Sequence, residues 1–309
     1  MTNENISRKT FDSDMIHIIM PVYNRLSMTR QCLNSLDKQN FDDWCVYIVN
    51  DGSTDGTKEW IETLNRQDVK CINGDGSLWW TGSMKAGVEH VLKICDKKDY
   101  IMSLNNDLVF RSENSLSVLL TAIISNNKSI CGSVSVSNLE SEIVMSSGSK
   151  MISWFLNISF HPFVGSSYHD IENNPIRKVD MLTGRSVIYP APIFNDINFD
   201  SVCFPQYGGD NEFTIRAKRV GYDLFLVPGS AVLVNRSETG LNPMDRRLSL
   251  KEKLNSLFSV RSVNNIMIRT RFAMRVPPVY ARPTYFIISM MKIFIQLLIG
   301  NFIAKRNGR

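Results

Sequence analysis

Asp51, Asp107 and Asp210 each stand where an apolar or glycine-rich stretch stops, and Asn105 and Asn106 sit directly before the second of them. The stretch "YIMSLNNDLVF" (100–110) shows the pattern best: an apolar run ends on two amides and an acid, then resumes at Leu108. Acidic and amide oxygens at one strand end are hard donors of the kind that hold Mg2+ or Mn2+. Asp51, in "VNDGS", suits an Asx turn closing its own loop. Asp210, in "QYGGDNEF", stands where a helix should start. It is a candidate N-cap, and a helix N-terminus favours the ionised carboxylate and lowers its basicity.

Those residues depend on the elements before them. "MIHIIM" (15–20), "WCVYIVN" (44–50), "VKCIN" (69–73) and "YIMSL" (100–104) read as strands. Between and after them, 25–39, 54–66, 83–95 and 115–125 carry helical periodicity. Strands alternating with helices of this length imply a mostly parallel sheet covered on both faces. From 130 to 205 the pattern loosens into short β-like pieces. A helix follows over 210–222, with Phe213, Ala217 and Val220 on one face and Gly221 as its C-terminal cap, and then a strand over 223–228.

In such a sheet, ligands bind beyond the carboxyl ends of the strands. The stretches there are "PVYNR", "DGSTDGT", "GDGSLWWTG" and "NND". A dinucleotide fold needs GxGxxG where this chain has "PVYNR". A P-loop needs Lys and Ser/Thr where "GSMKAGVE" has Val88 and Glu89. A sugar nucleotidyltransferase would show a glycine- and Arg/Lys-rich signature after the first strand, which "PVYNR" lacks. With no glycine cradle, bound phosphates need another counter-charge, and a divalent cation supplies one.

"IIMPVYNR", "VNDGSTDGT", "LNND" and "YGGDNEFTIRA", in that order, resemble the inverting family-2 glycosyltransferases of GT-A fold. "GDGSLWWTGSMKAG" and "DMLTGRSVIYP" bring the likeness nearest to the rhamnosyltransferase-like subset that builds bacterial surface polysaccharide. The resemblance runs from about 15 to 235. It implies a single nucleotide-sugar-binding α/β domain and an Mg2+ or Mn2+ cofactor, with Asp107 as the metal-binding acid. It implies donor-binding roles for Pro21, Tyr23, Asn24, Asp51 (on the pyrimidine base), Asn105, Asn106, Thr183 and Gly184. It implies Asp210 as general base, with Glu212 the competing acid. Of the adjacent Trp79 and Trp80, one belongs to the core, and Trp80 is placed in the donor pocket. Arg185 suits a phosphate or open surface, and Arg216 an ion pair. The implied reaction moves a sugar from a UDP- or dTDP-linked donor to a saccharide acceptor, possibly undecaprenyl-linked, in O-antigen or capsule synthesis. The alternative is a catalytically weak glycosyltransferase-like scaffold that binds nucleotide or membrane.

The composition, 43% hydrophobic and 21% charged, is that of a globular protein. Six cysteines without a CxxC pair suit reduced, buried thiols of a cytosolic protein, and the four histidines lack zinc-ligand spacing. Residues 1–14 read as a disordered lead, 15–240 as the catalytic domain and 241–309 as a basic helical region. The net charge of +5 conceals an asymmetry, because 241–309 holds thirteen Lys/Arg against two Asp/Glu. Within it, "YFIISMMKIFIQLLIGNFI" (285–303) has the length of a bilayer span, but Ser289, Lys292 and Gln296 form a polar stripe. That pattern suits a helix lying in an anionic membrane interface, with Arg261, Arg269, Arg271, Arg275 and Arg282 attracting headgroups. The apolar content fits lipid and not nucleic acid. The expected location is peripheral, on the cytoplasmic face of the cell membrane.

Overall fold

The computed structural model describes residues 14–137, 140–234 and 248–306, with side chains to residue 299. The lead expected at 1–14 lies outside the described residues except for Asp14, and so does the junction expected at 240–241.

The first half alternates strand and helix: β1 (Ile16–Val22), α1 (Leu26–Leu36), β2 (Trp44–Asn50), α2 (Thr57–Thr63), β3 (Val69–Asn73), α3 (Trp79–Val91) and β4 (Tyr100–Leu104). Then come β5 (Leu108–Phe110), α4 (Ser115–Ser125), β6 (Ser129–Val136), β7 (Val144–Ser146), β8 (Lys150–Ser153), β9 (Ile158–Phe160) and β10 (Arg177–Val179). The body closes with β11 (Ser186–Pro190), α5 (Ile193–Asp196), α6 (Gly209–Arg219) and β12 (Asp223–Val234). Beyond it lie α7 (Leu250–Ser256), α8 (Ile266–Arg275) and α9 (Arg282–Arg306).

The sheet runs β10-β12-β6-β11-β4-β1-β2-β3, with β5 on β12 and β7 on β6, while β8 and β9 pair separately. β3, β2, β1 and β4 are mutually parallel, as are β6 and β12. β11 lies antiparallel between β4 and β6, with Ser186 opposite Leu104. This is the mixed α/β fold with a parallel block that the resemblance implied. The inserted β11 matters for the site: because it runs backwards, the residues just before it reach the same rim as those just after β4.

Strand alternation sends successive side chains to opposite faces. Ile16, Ile18 and Met20 therefore pack with Leu33 and Leu36 of α1 and with Leu116 and Leu119 of α4, while Ile19 packs with Met84 and Val88 of α3. Each such side chain, once fully buried, contributes about 1.5–3 kcal/mol. Phe199 and Phe213, stacked with ring centroids 4.4 Å apart, back α6 on the second face.

Several elements depart from expectation. α3 begins at Trp79, four residues before Ser83, because a distant side chain holds its first N–H. Val220 is exposed and lies off the buried face shared by Phe213 and Ala217, whereas Gly221 has the positive φ of a cap, 92°. All six cysteines are free, but only Cys32 and Cys131 are buried.

In the C-terminal helices, one stretch among the described residues, Val279–Ile299, is long and apolar enough to cross a membrane by length and composition. The basic residues there are not all available to headgroups. Arg269 is enclosed, donates to the Val263 carbonyl at 2.9 Å, and has its guanidinium pulled down by burial. Arg275 pairs with Asp200 at 2.8 Å.

Candidate active site

The loops after β1 and β2 are stitched together first. Asn24 and Arg25 both take left-handed backbone, with φ of 58° and 66°. Asn24 N–H donates to Ser53 Oγ and Asn24 Oδ1 accepts from Thr54 N–H, each at 2.8 Å. Asp55 Oδ2 accepts Leu26 N–H at 2.8 Å and its Oδ1 accepts the Thr57 hydroxyl at 2.6 Å, so one carboxylate serves the starts of both α1 and α2. Asp55 was not singled out from the sequence, although Asp-Gly-Thr ahead of a helix is a recognisable capping pattern. Pro21 is half-buried in β1 and Tyr23 is exposed on the rim.

Asp51 is buried, and its carboxylate is not closing an Asx turn. Oδ1 accepts Gly76 N–H at 2.8 Å and Oδ2 accepts Trp79 N–H at 3.0 Å, which clamps the 74–79 loop to the end of β2. Trp79, with φ of 57°, needs that support, since a bulky residue rarely adopts a left-handed backbone. Gly74 is required by the same contact: a Cβ there would lie 2.6 Å from Asp51 Oδ1. A carboxylate has about four acceptor positions, so each oxygen of Asp51 keeps one beyond these bonds.

The two asparagines diverge. Asn105 is half-buried; its Oδ1 accepts Trp80 Nε1–H at 2.8 Å and its N–H donates to the Arg185 carbonyl at 3.0 Å. Asn106 is buried and turns inwards, its amide donating to Thr29 Oγ1 at 3.0 Å. Its amide N–H is thereby engaged by α1. Asp107 Oδ2 lies 3.6 Å from Arg25 Nη1. Burial raises the Asp107 carboxyl above the usual carboxylate range, and Arg25 and Arg185 act in the opposite direction. Arg25 was not singled out from sequence, because the partner that gives it meaning comes from a distant strand end.

The segment before β11 completes the cluster. Thr183 is half-buried and Gly184 buried, and Gly184 N–H donates to Asp210 Oδ2 at 2.9 Å. A Cβ on Gly184 would lie 2.4 Å from Trp80 Cη2 and 3.1 Å from Asp210 Cβ, so the indole lies directly over the glycine. Of the two tryptophans, Trp80 packs on the core, its ring edge-on to Phe199 at 5.8 Å, while Trp79 lies under Arg261 at 5.9 Å.

Asp210 is not the N-cap of α6. That position is Gly208, with φ of 83°, and Asp210 lies within the first turn. Its Oδ1 accepts Asn211 N–H at 2.8 Å. Burial pushes the Asp210 carboxyl above the ordinary range, against hydrogen bonds from Gly184 and Asn211 and the charge of Arg185. Desolvation therefore outweighs the helix end, and its basicity rises where the sequence reading had it fall. Glu212, the competing acid, is buried in a 2.6 Å pair with Arg216, which also donates to the Asn198 carbonyl at 2.7 Å. Arg216 is the structural ion-pair partner.

The donor set bears on the cation. Asp107 brings one carboxylate, Asn105 Oδ1 already accepts from an indole, and the Asn106 amide N–H is spent on Thr29. Among the described residues no group of three or more His, Cys, Asp or Glu side chains is arranged to hold a metal. The set fits a divalent cation completed by oxygens of a bound diphosphate, not one caged by protein.

Residues 17–168 match the family model described as Glycosyl transferase family 2. Two curated relatives match short segments. Glycosyltransferase GlyA of Streptococcus pneumoniae serotype 4 is 38% identical over 59 residues, and an uncharacterized glycosyltransferase of Rickettsia bellii is 33% identical over 58. Each match covers 19% of this chain and 8% of the relative's own length. Among solved structures, S. aureus TarS 1-349 in complex with UDP aligns over 96% of this chain and 92% of its own, at TM-score 0.56 and 16% identity. The same protein with UDP-GlcNAc aligns over 93% and 92%, at TM-score 0.53 and 16% identity. GalNAc-T7 with UDP, GalNAc and Mn2+ aligns over 92% of this chain and 57% of its own, at TM-score 0.57 and 12% identity. At these identities the structural likeness concerns the fold.

Proposed function

We propose, from the match of residues 17–168 to the Glycosyl transferase family 2 model, that this chain is an inverting glycosyltransferase. It transfers a sugar from a UDP- or dTDP-linked donor to a saccharide hydroxyl in bacterial surface polysaccharide synthesis, O-antigen or capsule. The observation that carries this reading is the carboxyl of Asp210, raised by burial and tied through Gly184 to the Asn105–Asp107 strand end. A base poised above the ordinary carboxylate range is better matched to a hydroxyl proton than a surface aspartate, and general-base assistance is worth about 10²–10⁴ in rate. The UDP and UDP-GlcNAc complexes of the TarS neighbour support a nucleotide-sugar donor.

In this mechanism the acceptor oxygen attacks the anomeric carbon from the face opposite the nucleotide. Asp210 takes the hydroxyl proton as the new C–O bond forms. The bond to the diphosphate breaks in line, which inverts the anomeric configuration. Asp51 keeps the 74–79 loop closed under the nucleotide, and Trp80 packs over Gly184 to wall the donor sugar. Arg25 and Arg185, whose charges both act on Asp107, face the departing phosphates. A divalent cation held by Asp107, Mg2+ or Mn2+, would supply further neutralisation of the leaving diphosphate.

The protein acts at the cytoplasmic face of the cell membrane, where an undecaprenyl-linked saccharide is presented. The length and apolar composition of Val279–Ile299 support this placement. The test is a panel of UDP- and dTDP-sugars with lipid-linked saccharide acceptors, the product's anomeric configuration being read by proton NMR. Inverted product supports the assignment. Retained configuration, or tight nucleotide binding without turnover on any donor, contradicts it.

A further inference from the structure

The helix α8 lies beyond the residues that match the family model, and beyond the domain expected from sequence, yet it is built onto the turn that leads into α6. Arg271 Nη1 donates to the Val202 and Cys203 carbonyls, each at 3.2 Å. Arg271 forms no ion pair with an acid among the described residues, so its donors serve the backbone of that turn. Arg275 Nη1 meets Asp200 Oδ2 at 2.8 Å, and Asp200 Oδ1 accepts Cys203 N–H at 3.0 Å. One carboxylate therefore closes the turn on itself and ties it to α8.

The aromatic contact reaches further along. The Phe272 ring stands edge-on to the buried Phe204, with centroids 6.1 Å apart, and a Cβ on Gly208 would lie 3.5 Å from Phe272 Cδ2. Gly208 is the N-cap of α6, so the ring supports the residue from which that helix, and Asp210 with it, takes its direction.

The same turn also caps α3. The first N–H groups of a helix find no partner within it. Trp79 N–H goes to Asp51, Trp80 N–H donates to Gln206 Oε1 at 3.0 Å, and Thr81 N–H donates to the Pro205 carbonyl at 2.9 Å. A Cβ on Gly209 would lie 2.5 Å from Thr81 Oγ1, so α6 starts in direct contact with α3. Segment 200–209 is thus held between α3 on one side and α8 on the other.

We propose that α8 is a positioning element of the transfer site: Arg271 and Phe272 hold the 200–208 turn so that Asp210 stands beside Gly184 in the orientation a base requires. This rests on the assignment of Asp210 as the base and deepens it. The C-terminal region then serves the chemistry as well as attachment, and two arginines expected from sequence to attract headgroups, Arg271 and Arg275, are engaged by the turn. The Asp210 carboxylate accepts from Gly184 N–H on another segment and from Asn211 N–H within α6. A shift of Gly208 moves the second donor and turns the carboxylate about the first. Misplacement of about 1 Å at a reacting group costs about 10²-fold in rate. The residues assigned to the donor lie mostly after β1, β2 and β4, so loosening the turn from the α8 side should slow transfer far more than it weakens donor binding.

The test uses the full chain in detergent solution, with the donor and acceptor that the wild type uses, so that release from a bilayer cannot lower the rate. Arg271→Met keeps the stem and removes the donors, and Arg271→Lys restores an ammonium able to reach the carbonyls. Titration with the donor's nucleotide diphosphate and Mn2+ counts the folded sites in each preparation, and single-turnover transfer is expressed per site. Arg271→Met and Phe272→Leu should each lose at least tenfold in rate, with donor affinity within about twofold of wild type. Arg271→Lys should recover most of the rate, and Met274→Ser, exposed on the same helix, should match wild type. Wild-type rates per site in Arg271→Met and Phe272→Leu overturn the proposal and leave Asp210 as the base. Donor affinity falling in step with the rate assigns α8 to general support of the fold and also overturns it. A wild type that transfers no sugar from any donor overturns the assignment of the base itself, and this proposal with it.

Discussion

Gly184 N–H donates to Asp210 Oδ2 at 2.9 Å, joining the segment before β11 to the first turn of α6. This bond places a carboxyl from late in the chain beside the end of β4, because Gly184 is followed by Arg185, whose carbonyl accepts from Asn105 N–H. Gly184→Ala should break the arrangement. Its Cβ would meet Trp80 Cη2 at 2.4 Å, and Trp80 is pinned by its bond to Asn105. Overpacking of this kind costs about 1–3 kcal/mol. Thermal melts should show the loss, and transfer should fall at least tenfold with secondary structure retained.

Trp80→Phe keeps the ring but removes the indole N–H that Asn105 Oδ1 accepts. A lost hydrogen bond at a half-buried acceptor costs about 1 kcal/mol. Urea unfolding should register that cost, and titration with nucleotide-sugar should show weaker donor binding.

Arg185→Gln tests the electrostatics. The Arg185 charge lowers the carboxyls of both Asp107 and Asp210, opposing the upward push of burial. Removing it lets both rise further. A base works only when ionised, so the acid limb of kcat/KM against pH should move to higher pH, and Arg185→Lys should move it back. An unmoved limb would detach Arg185 from the reacting carboxyl.

Stability carries the same sign. An acid whose folded pKa exceeds its unfolded one gives stability that is complete below the unfolded value and lost as pH rises through the folded value. Burial of Asp210 therefore stabilises the acid form and costs stability at neutral pH. Melting temperatures of Asp210→Asn across pH should lack that part of the slope.

With one acid and two guanidinium groups at the strand end, divalent cation affinity should depend on the donor. Calorimetry with Mn2+ alone should show little binding, and addition of UDP or a nucleotide-sugar should create a site that Asp107→Asn removes. Tight donor-free binding would refute the donor set described above.

The strands β2, β3 and β4 and the helix α4 coincide with the runs read from sequence, because each is a local apolar segment bounded by polar or turn-forming residues. The start of α3 was not legible, since Trp79 is held by Asp51 from another strand end. The pairing of β11 between β4 and β6 is likewise long-range, and it is what brings Thr183–Arg185 to the rim. Asp51, Asp107 and Asp210 were singled out by type and position. Their environments were not: the raised carboxyl of Asp210 reflects enclosure, and the Arg25 partner of Asp107 appears only once β1 and β4 lie side by side. The polar stripe of α9 was visible, but its partner Asn157 belongs to a hairpin that sequence left as loose β-like pieces.

The central claim is that Asp210 deprotonates the acceptor. Its most direct measurement is single-turnover transfer by Asp210→Asn, using whichever nucleotide-sugar the wild type accepts, with donor affinity measured in parallel. The account predicts a rate loss of about 10²–10⁴ with donor binding preserved. Transfer at the wild-type rate by Asp210→Asn would contradict it.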